Sequence, residues 1–329
     1  MNSQFFEQLV TLDGPFFEGF LVLIFSILLA RLAPLPRTMQ PMVWFHHLAL
    51  NLATKVNRNE RSAQQQKIAG LMAALLLILP FWTIVAFLLE LAAFRWFFEF
   101  LIIYLCLSDV SFTQTADEVA SSLERGDKRN AKQILSEWLS RDTDSLSDIG
   151  ICKATLEKLA TAPVYGTAAT IFFFALAGAP LVLAIRMIKQ LDLSWPSLDP
   201  RFRHFGRYVN LVSHVVLIIP SLLWSLSLAI QGGPRAIKAL FSAPKSITFG
   251  GIDILSLHIM ATVLATELGG PLKFAGIRVD FGKLSYGPMP QVATLRDGIR
   301  ISNTACIIWF SSIVLIPLLW GLLRYIRLH

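Results

Sequence analysis

The chain alternates long apolar runs with short polar segments. Its first apolar run, from Phe16 to Leu32, is interrupted only by Glu18 and Arg31 near its ends. A helix needs roughly 20 apolar residues to cross about 30 Å of hydrocarbon, so this run predicts a membrane-spanning helix. Further membrane helices are expected in the apolar segments 68–107, 208–230 and 301–323.

The segment from Ile68 to Leu107 has about twice the length of one span. It predicts a helical hairpin that turns near Glu90 and Arg95, with two antiparallel helices. Glu99 lies within the second helix, and a carboxylate inside a membrane is a candidate functional group. An ion pair with Arg95, one helical turn away, is the alternative interpretation.

The apolar run from Thr167 to Met187 has Gly178 and Pro180 at its centre. A break at this depth predicts either a kinked span or a re-entrant hairpin, because unpaired backbone groups are costly in lipid. The sequence leaves both possibilities open.

These patterns predict an all-α, polytopic integral membrane protein with about five or six membrane helices. We expect a single membrane domain over 1–329, with a polar helical insert at 109–165 and a second polar or amphipathic insert at 231–303. The loop from Lys55 to Lys67 is basic, and the positive-inside rule therefore predicts that it is cytoplasmic. A multi-pass protein of the bacterial inner membrane, with the lipid bilayer as its partner, fits this pattern.

The composition supports a membrane protein. Of the 329 residues, 54% are hydrophobic and 16% are charged, whereas a soluble domain has about a quarter charged residues. The net charge of +7 does not indicate nucleic-acid binding, because basic loops at membrane ends produce the same excess. The three cysteines share no metal or disulfide spacing.

The densest acidic group is Asp142, Asp144 and Asp148 in the stretch RDTDSLSD. Their spacing could place two carboxylates on one face and hold a Mg²⁺ ion. The alternative is a helix N-cap at Asp144 or Ser145. Elsewhere, His46 and His47 are interpreted as interfacial polar residues, because adjacent side chains on a helix point about 100° apart and cannot chelate one metal together.

Several short motifs, taken in order, resemble the adenosylcobinamide-phosphate synthase family of cobalamin biosynthesis, the CobD/CbiB membrane proteins. The stretch Gln40-Pro41-Met42-Val43-Trp44 is similar to an HPVxW-like turn of that family, and Gly126-Asp127 followed by Arg141-Asp142-Thr143 to its GD…RDT segment. Glu157 fits the first Glu of a family motif, AIESxAENxSDG, and Gly166 fits its closing Gly. Leu191-Asp192, Arg201, Phe205-Gly206, Pro220 and Leu268-Gly269-Gly270-Pro271 follow in register.

The departures from the family pattern are concentrated in polar positions. Thr161-Ala162 and Val164-Tyr165 stand where the family has Glu-Asn and Ser-Asp. Leu198-Asp199-Pro200 replaces Lys-Asn-Glu, Ser213-His214 replaces two aspartates, and Gln40 replaces a histidine.

The resemblance implies an ATP-dependent amide ligation that joins adenosylcobyric acid to an amino-alcohol phosphate. It implies catalytic roles for Asp142, Thr143, Glu157, Asp192 and Arg201, ligand-binding roles for Arg141, Arg203, Gly269 and Gly270, and a Mg²⁺ ion on Asp142 and Glu157. ATP and Mg²⁺ are implied only if ligation is retained. These side chains could also simply cap helices and pair with one another.

Two functions remain open at this point. The first is a divergent member that keeps the scaffold with a depleted ligase site and binds a corrinoid or another ligand in a regulatory role. More distantly, such a protein is similar to the AmpE-like inner-membrane regulators. The second is an active ligase of the family type.

Overall fold

The computed structural model describes residues 3–58, 60–107, 109–242 and 253–327. Part of the predicted insert at 231–303, namely 243–252, therefore lies outside the described residues. Within the described part the chain is helical, and its helices are α1 (Ser3–Leu32), α2 (Pro41–Val56), α3 (Ala63–Leu91), α4 (Arg95–Cys106), α5 (Asp109–Glu124), α6 (Lys128–Ser136), α7 (Asp148–Pro163), α8 (Ala169–Ser194), α9 (Arg207–Val216), α10 (Ile218–Gln231), α11 (Gly233–Ala239), α12 (Asp253–Val263) and α13 (Val292–Arg327).

The helix boundaries follow local sequence signals. Ser62 and Gln65 form a reciprocal capping box at the start of α3, and such a box satisfies two of the free N–H groups of the first turn. Asp127 caps α6 after the break at Gly126. The N-cap of α7 is Ser147, whose hydroxyl accepts the Gly150 N–H. The predicted cap at Asp144 or Ser145 was therefore wrong by two or three residues.

The protein is a multi-pass, all-α membrane protein. Four described helical segments are long and apolar enough to cross a membrane, or five if α9 and α10, which meet at an angle of 58°, form one broken span. By length and composition the described residues thus reach the low end of the predicted count, and one of the four segments, Asp148–Ser194, contains the reversal in α8 described below. In the most apolar 18-residue stretch of α3, and likewise of α13, only 11% of the stretch is buried within the protein. Their exposed apolar side chains fit a lipid environment.

The predicted hairpin at 68–107 is confirmed. Helices α3 and α4 are joined by the short turn 92–94, and Arg95 at the turn pairs with Glu90 at 2.9 Å and with Glu99 at 3.1 Å. The ion-pair interpretation of Glu99 is therefore the one that the structure bears out.

Helix α8 folds back on itself as a hairpin, the arrangement that the re-entrant alternative predicts. Its backbone leaves helical geometry at Ala177 (φ −154°, ψ 26°) and Gly178 (φ 71°, ψ −169°), and the Gly178 conformation is essentially restricted to glycine. On a straight helix Tyr165 and Lys189 would be about 36 Å apart. The Lys189 ammonium instead lies 5.5 Å from the centroid of the Tyr165 ring. The chain therefore reverses at Gly178, and both arms return to the same face of the molecule.

The described part of the second insert contains four short strands that the sequence does not predict. Strands β1 (Glu267–Gly269) and β4 (Lys283–Ser285) pair antiparallel with Leu268 opposite Leu284. Strands β2 (Leu272–Phe274) and β3 (Ile277–Val279) form a hairpin with Lys273 opposite Arg278. The turn residues Ala275 and Gly276 both have positive φ, as a two-residue hairpin of this kind requires.

Three buried apolar clusters connect these elements. One joins α5, α6, α7, α10 and α12 to β1, β4 and the start of α13. A second joins α1, α4 and both arms of α8, and a third joins α2 and α3 to the end of α8. The two predicted inserts thus share one core, while their boundaries at 109–165 and 231–303 stay predictions.

Candidate functional site

A cavity of about 840 Å³ lies where α2, α7, the second arm of α8, α9 and strand β2 meet. Its lining includes six cations and four carboxylates: Arg37, Arg141, Lys158, Arg186, Lys189 and Arg207, with Asp109, Glu137, Glu157 and Asp192. His46, His47 and His214 also face it. Charged side chains from several helices thus converge on one partly open cavity.

Glu157 and Arg141 form one wall of the cavity. The Arg141 guanidinium donates to Glu157 Oε2 at 2.6 Å, and both side chains are 13% exposed. The other carboxylate oxygen of Glu157 accepts the Gly269 N–H at 3.0 Å. Both oxygens of this carboxylate are therefore engaged by donors of the protein itself.

Asp192, near the end of α8, also lines the cavity. Its carboxylate accepts from the Lys189 ammonium at 2.9 Å, from Asn210 Nδ2 at 2.8 Å and from the Ser213 hydroxyl at 3.1 Å. A buried carboxylate with three donors is electrostatically satisfied. The substituted residue Ser213 thus supports Asp192 where the family has an aspartate.

Asp142 fastens the β2–β3 hairpin and does not line the cavity. Its carboxylate accepts the N–H groups of Ala275 at 3.1 Å and Gly276 at 2.7 Å, and its own N–H donates to the Lys273 carbonyl at 2.8 Å. Phe274 of the same hairpin lines the cavity. Asp142 therefore positions one part of the cavity wall from outside.

The remaining predicted residues also lie off the cavity. Arg201 makes a bidentate ion pair with Asp199, which raises the pKa of Arg201. Thr143 is buried and Arg203 is exposed. Gly269 and Gly270 have positive φ, and a Cβ at Gly269 would approach the Gly282 carbonyl oxygen. The structure thus brings Arg141, Glu157 and Asp192 together at one cavity, and the roles of all nine residues stay predictions.

The predicted Mg²⁺ pair of Asp142 and Glu157 does not fit the geometry. Each carboxylate is already occupied by protein donors, and only Glu157 lines the cavity. No group of three or more His, Cys, Asp or Glu side chains that could hold a metal ion occurs in the described part of the chain.

Several cavity residues are not predicted from the sequence. Arg186 and Lys189 lie one turn apart at the end of an apolar run, and cations in such a position are candidate functional groups by themselves. Arg37 packs over the Trp138 ring at 4.6 Å, and burial lowers its pKa. The 3₁₀ turn Arg37–Met39 lies between two prolines and α2. Nothing in its sequence indicates that it faces a cavity.

Asp109 is a further residue that the sequence analysis passed over. It is 5% exposed, and its Oδ2 accepts the N–H and the hydroxyl of Thr167. Asp109 lines both the main cavity and a second cavity of about 230 Å³ between α1, α5 and α13. It therefore forms part of the wall between the two spaces.

Comparison with known proteins gives consistent matches over most of the chain. The model of the CobD/Cbib protein family matches residues 23–301. The cobalamin biosynthesis protein CobD of Stutzerimonas stutzeri (strain A1501) is 30% identical over 303 residues, which cover 92% of this chain and 97% of that protein. The CobD protein of Chromobacterium violaceum is 25% identical over 308 residues, with 92% and 97% covered.

Relatives named CbiB match a shorter part of the chain. The cobalamin biosynthesis protein CbiB of Salmonella typhimurium is 28% identical over 235 residues, which cover 69% of this chain and 71% of that protein. No solved structure matches the chain.

Proposed function

Because the chain belongs to the CobD/CbiB family, we propose that it is a divergent member in the bacterial inner membrane that binds an anionic small molecule in its main cavity. A corrinoid acid is the ligand that the relatives' role in cobalamin biosynthesis suggests. We assign it a regulatory role, in which ligand binding is kept and amide ligation is lost.

The excess of cations in the cavity carries this proposal. Within the described residues, Arg37, Lys158 and Arg207 line the cavity and take part in no ion pair. A cleft that collects charge of one sign between low-dielectric walls concentrates ligands of the opposite sign. An anion is therefore the ligand that the lining favours.

The state of the carboxylates supports a non-ligating role. Glu157 is held by Arg141 and Gly269, Asp192 by Lys189, Asn210 and Ser213, and Asp142 by a hairpin turn. A ligation needs carboxylates that can hold a nucleotide-bound metal ion or accept a proton from an amine. These three carboxylates serve instead to fix the walls of the cavity.

Family-type ligation is a second candidate, favoured by one observation. The CobD protein of Stutzerimonas stutzeri is aligned with this chain over 97% of its length, so no large element of that protein is missing here. In that case ATP and Mg²⁺ would be required, and their ligands would have to differ from the Asp142–Glu157 pair.

One experiment separates the two candidates. The full chain in lipid nanodiscs is incubated with adenosylcobyric acid and an amino-alcohol phosphate, with and without MgATP, and both corrinoid retention and ATP consumption are measured. We expect retention of the corrinoid without ATP consumption. Arg37→Gln should weaken retention by about tenfold, since an ionic hydrogen bond is worth about 1.5–3 kcal/mol. Arg235→Gln, an exposed position on α11, is the matched control.

Two outcomes would contradict the proposal. Steady ATP consumption that depends on both substrates and is abolished by Asp192→Asn would establish ligation. Failure of the wild-type chain to retain this corrinoid and simple dianions alike would remove the anion-binding role itself.

A further inference from the structure

Helices α9 and α10 each present an apolar side that the rest of the described chain leaves exposed. Their inner sides are buried through Val209, Trp224 and Leu228. The outer sides carry large exposed apolar side chains three or four positions apart: Leu211, Val215, Ile218, Leu222, Leu226 and Ile230. An exposed apolar surface of this extent indicates contact with a membrane or with a partner protein.

Hydrogen bonds fix α9 and the middle of α10 relative to the polar segments. The Asn210 amide of α9 donates to Asp192 Oδ1, close to the end of the second arm of α8, at 2.8 Å. The Trp224 indole N–H of α10 donates to the Ala160 carbonyl of α7 at 2.9 Å. Both acceptors lie at the face to which the two arms of α8 return, so the first half of the pair begins at that face and stays there.

The far end of α10 lies at the same face. The Gln231 amide donates to the Ile301 carbonyl of α13 at 3.1 Å. Five residues before Ile301, Arg296 pairs with Asp117 and Glu124 of the first insert, and these two positions on α13 are about 8 Å apart along the helix. A membrane span would instead separate the two ends of the α9–α10 pair by about 30 Å of hydrocarbon.

The chain around α9 and α10 is basic. Between positions 201 and 242 the sequence has five Lys or Arg residues and no Asp or Glu. These cations stand before the pair, at its start and on α11 beyond its end, and all are exposed: Arg201, Arg203, Arg207, Arg235 and Lys238. Arg201 is already paired with Asp199. Basic residues that flank an exposed apolar surface complement the anionic headgroups of a bilayer.

We propose that α9 and α10 lie along the membrane surface instead of crossing the membrane, with their exposed apolar sides inserted beneath anionic lipid headgroups. Helices of this kind bury one apolar side about 5–10 Å deep and keep basic groups at the level of the headgroups. The partner is the leaflet on the side of the two inserts, because both ends of the pair are held at that face.

Helix α9 then separates this leaflet from the main cavity. Asn210 and His214 of α9 line the cavity, whereas Leu211 and Val215 of the same helix are exposed. The main cavity therefore lies beside the lipid headgroups. This position does not depend on which ligand the cavity binds, so the inference stands apart from the proposed corrinoid ligand.

Nitroxide labels measure the depth of α9 and α10 in the bilayer. The full chain is placed in nanodiscs of phosphatidylcholine and phosphatidylglycerol and labelled at Leu211→Cys, Ile219→Cys or Ile230→Cys, all exposed positions. Collisions of each label with oxygen and with a water-soluble nickel complex give its depth. We expect all three labels at one shallow depth, about 5–10 Å below the headgroups.

Helix α3 supplies the control for a true span. Labels at Ile68→Cys, Leu79→Cys and Leu91→Cys, likewise exposed positions, should be shallow, deep and shallow in turn, because the middle of a span lies about 15 Å from either surface. The wild-type chain, whose three cysteines are buried or partly buried, measures background labelling.

Two results would overturn the surface position of the pair. A label at position 219 as deep as the label at position 79, between shallow labels at positions 211 and 230, would show a broken span. Labels on α9 and α10 that do not collide with oxygen would show that these sides lie in water or against a protein. Retention of a corrinoid by the cavity is a separate measurement, and its outcome leaves this test unchanged.

The basic residues provide a second readout. The association of spin-labelled phosphatidylglycerol with the full chain is compared with that of spin-labelled phosphatidylcholine, and we expect phosphatidylglycerol to be preferred. Arg203→Gln and Lys238→Gln should each weaken this preference by up to about fivefold. Arg129→Gln, an exposed position on α6, is the matched control. Equal association of the two lipids with the wild-type chain, or an equal effect of Arg129→Gln, would overturn the assignment of anionic headgroups.

Discussion

Several aspartates of this protein hold the backbone of a turn or loop in place through hydrogen bonds. Asp142 is the clearest example, because its carboxylate binds two N–H groups of a hairpin turn. Asp199 similarly fixes the loop after α8 by binding the N–H and the guanidinium of Arg201. In sequence, such aspartates cannot be told from catalytic ones, because the partners that occupy their carboxylates are distant in the chain or depend on the fold of a loop.

His46 should make the stability of the protein depend on pH. It faces the main cavity and shares a 2.7 Å hydrogen bond with Ser194. Burial, then His47, then Arg37 lower the pKa of His46 from 6.5 to about 4. Because the pKa in the folded state is below its value in the unfolded state, protonation favours unfolding. The contribution of His46 to the free energy of unfolding is therefore fully present above pH 6.5 and is lost as the pH falls from 6.5 towards 4.

The loss can be measured as the thermal unfolding midpoint in detergent between pH 7.5 and pH 4.5. For a fully buried histidine, this difference in pKa would lower the free energy of unfolding by about 3 kcal/mol. Because His46 is partly exposed, the expected decrease is about 1 kcal/mol. His46→Gln should flatten this part of the pH profile, whereas His204→Gln, outside the cavity lining, should not. A His46→Gln profile identical to that of the wild type would contradict the assignment.

Among the elements, the contact between α3 and the loop after α8 depends on close backbone approach. A Cβ on Gly70 would lie 1.9 Å from the Phe205 carbonyl oxygen, and one on Gly206 would lie 2.0 Å from the Trp195 carbonyl oxygen. The same loop buries Trp195, whose indole N–H donates to the Ala49 carbonyl of α2 at 3.1 Å. Helices α2 and α3 thus pack on the re-entrant hairpin through its final turn.

Gly70→Ala should destabilise the protein by about 2–3 kcal/mol, because overpacking against rigid backbone forces the helix to shift. Gly321→Ala in α13 is the matched control. A Cβ there meets nothing within 4 Å, and alanine stabilises a helix interior by about 0.5–1 kcal/mol relative to glycine. Thermal unfolding of both variants in detergent measures the difference. Equal stability of Gly70→Ala and the wild type would show that α3 does not pack as closely as described.

At the scale of the whole molecule, the polar segments collect on one face. Asn57 Nδ2, in the loop before α3, donates to the Arg201 carbonyl at 2.8 Å. Arg37, in the turn before α2, packs on Trp138 of the first insert. Both arms of α8 return to this face, while the turn at 92–94 lies at the other end of α3. The positive-inside rule predicts that this common face is cytoplasmic.

Cysteine labelling tests this topology. In membrane vesicles, Asp144→Cys and Pro200→Cys should react with an impermeant maleimide only when the cytoplasmic face is outside, and Ala93→Cys only in the opposite orientation. All three positions are exposed, and the wild-type chain, with its buried or partly buried cysteines, measures background labelling. Labelling of positions 144 and 200 from opposite faces would show that α8 is a full span.

The sequence by itself determined the class of the protein. Apolar runs near 20 residues, basic loops and low charge content are local properties, so they predicted a multi-pass helical protein and the hairpin at Glu90–Arg95. The ordered motifs around Gly126-Asp127, Arg141-Asp142-Thr143 and Leu268-Gly269-Gly270-Pro271 identified the family. Neither result required knowledge of which helices pack together.

Tertiary structure alone decided the path of α8 and the composition of the cavity. Gly178 and Pro180 are equally compatible with a kink and with a reversal, and only the contact between Tyr165 and Lys189 distinguishes them. The same reversal brings Arg186 and Lys189 to the Tyr165 ring, which Lys158 also contacts. Asp142 binds the β2–β3 turn and Arg201 binds Asp199, so both lie outside the cavity lining. The physical reason is that contacts between residues distant in sequence depend on packing, and helical periodicity carries no information about the partner helix.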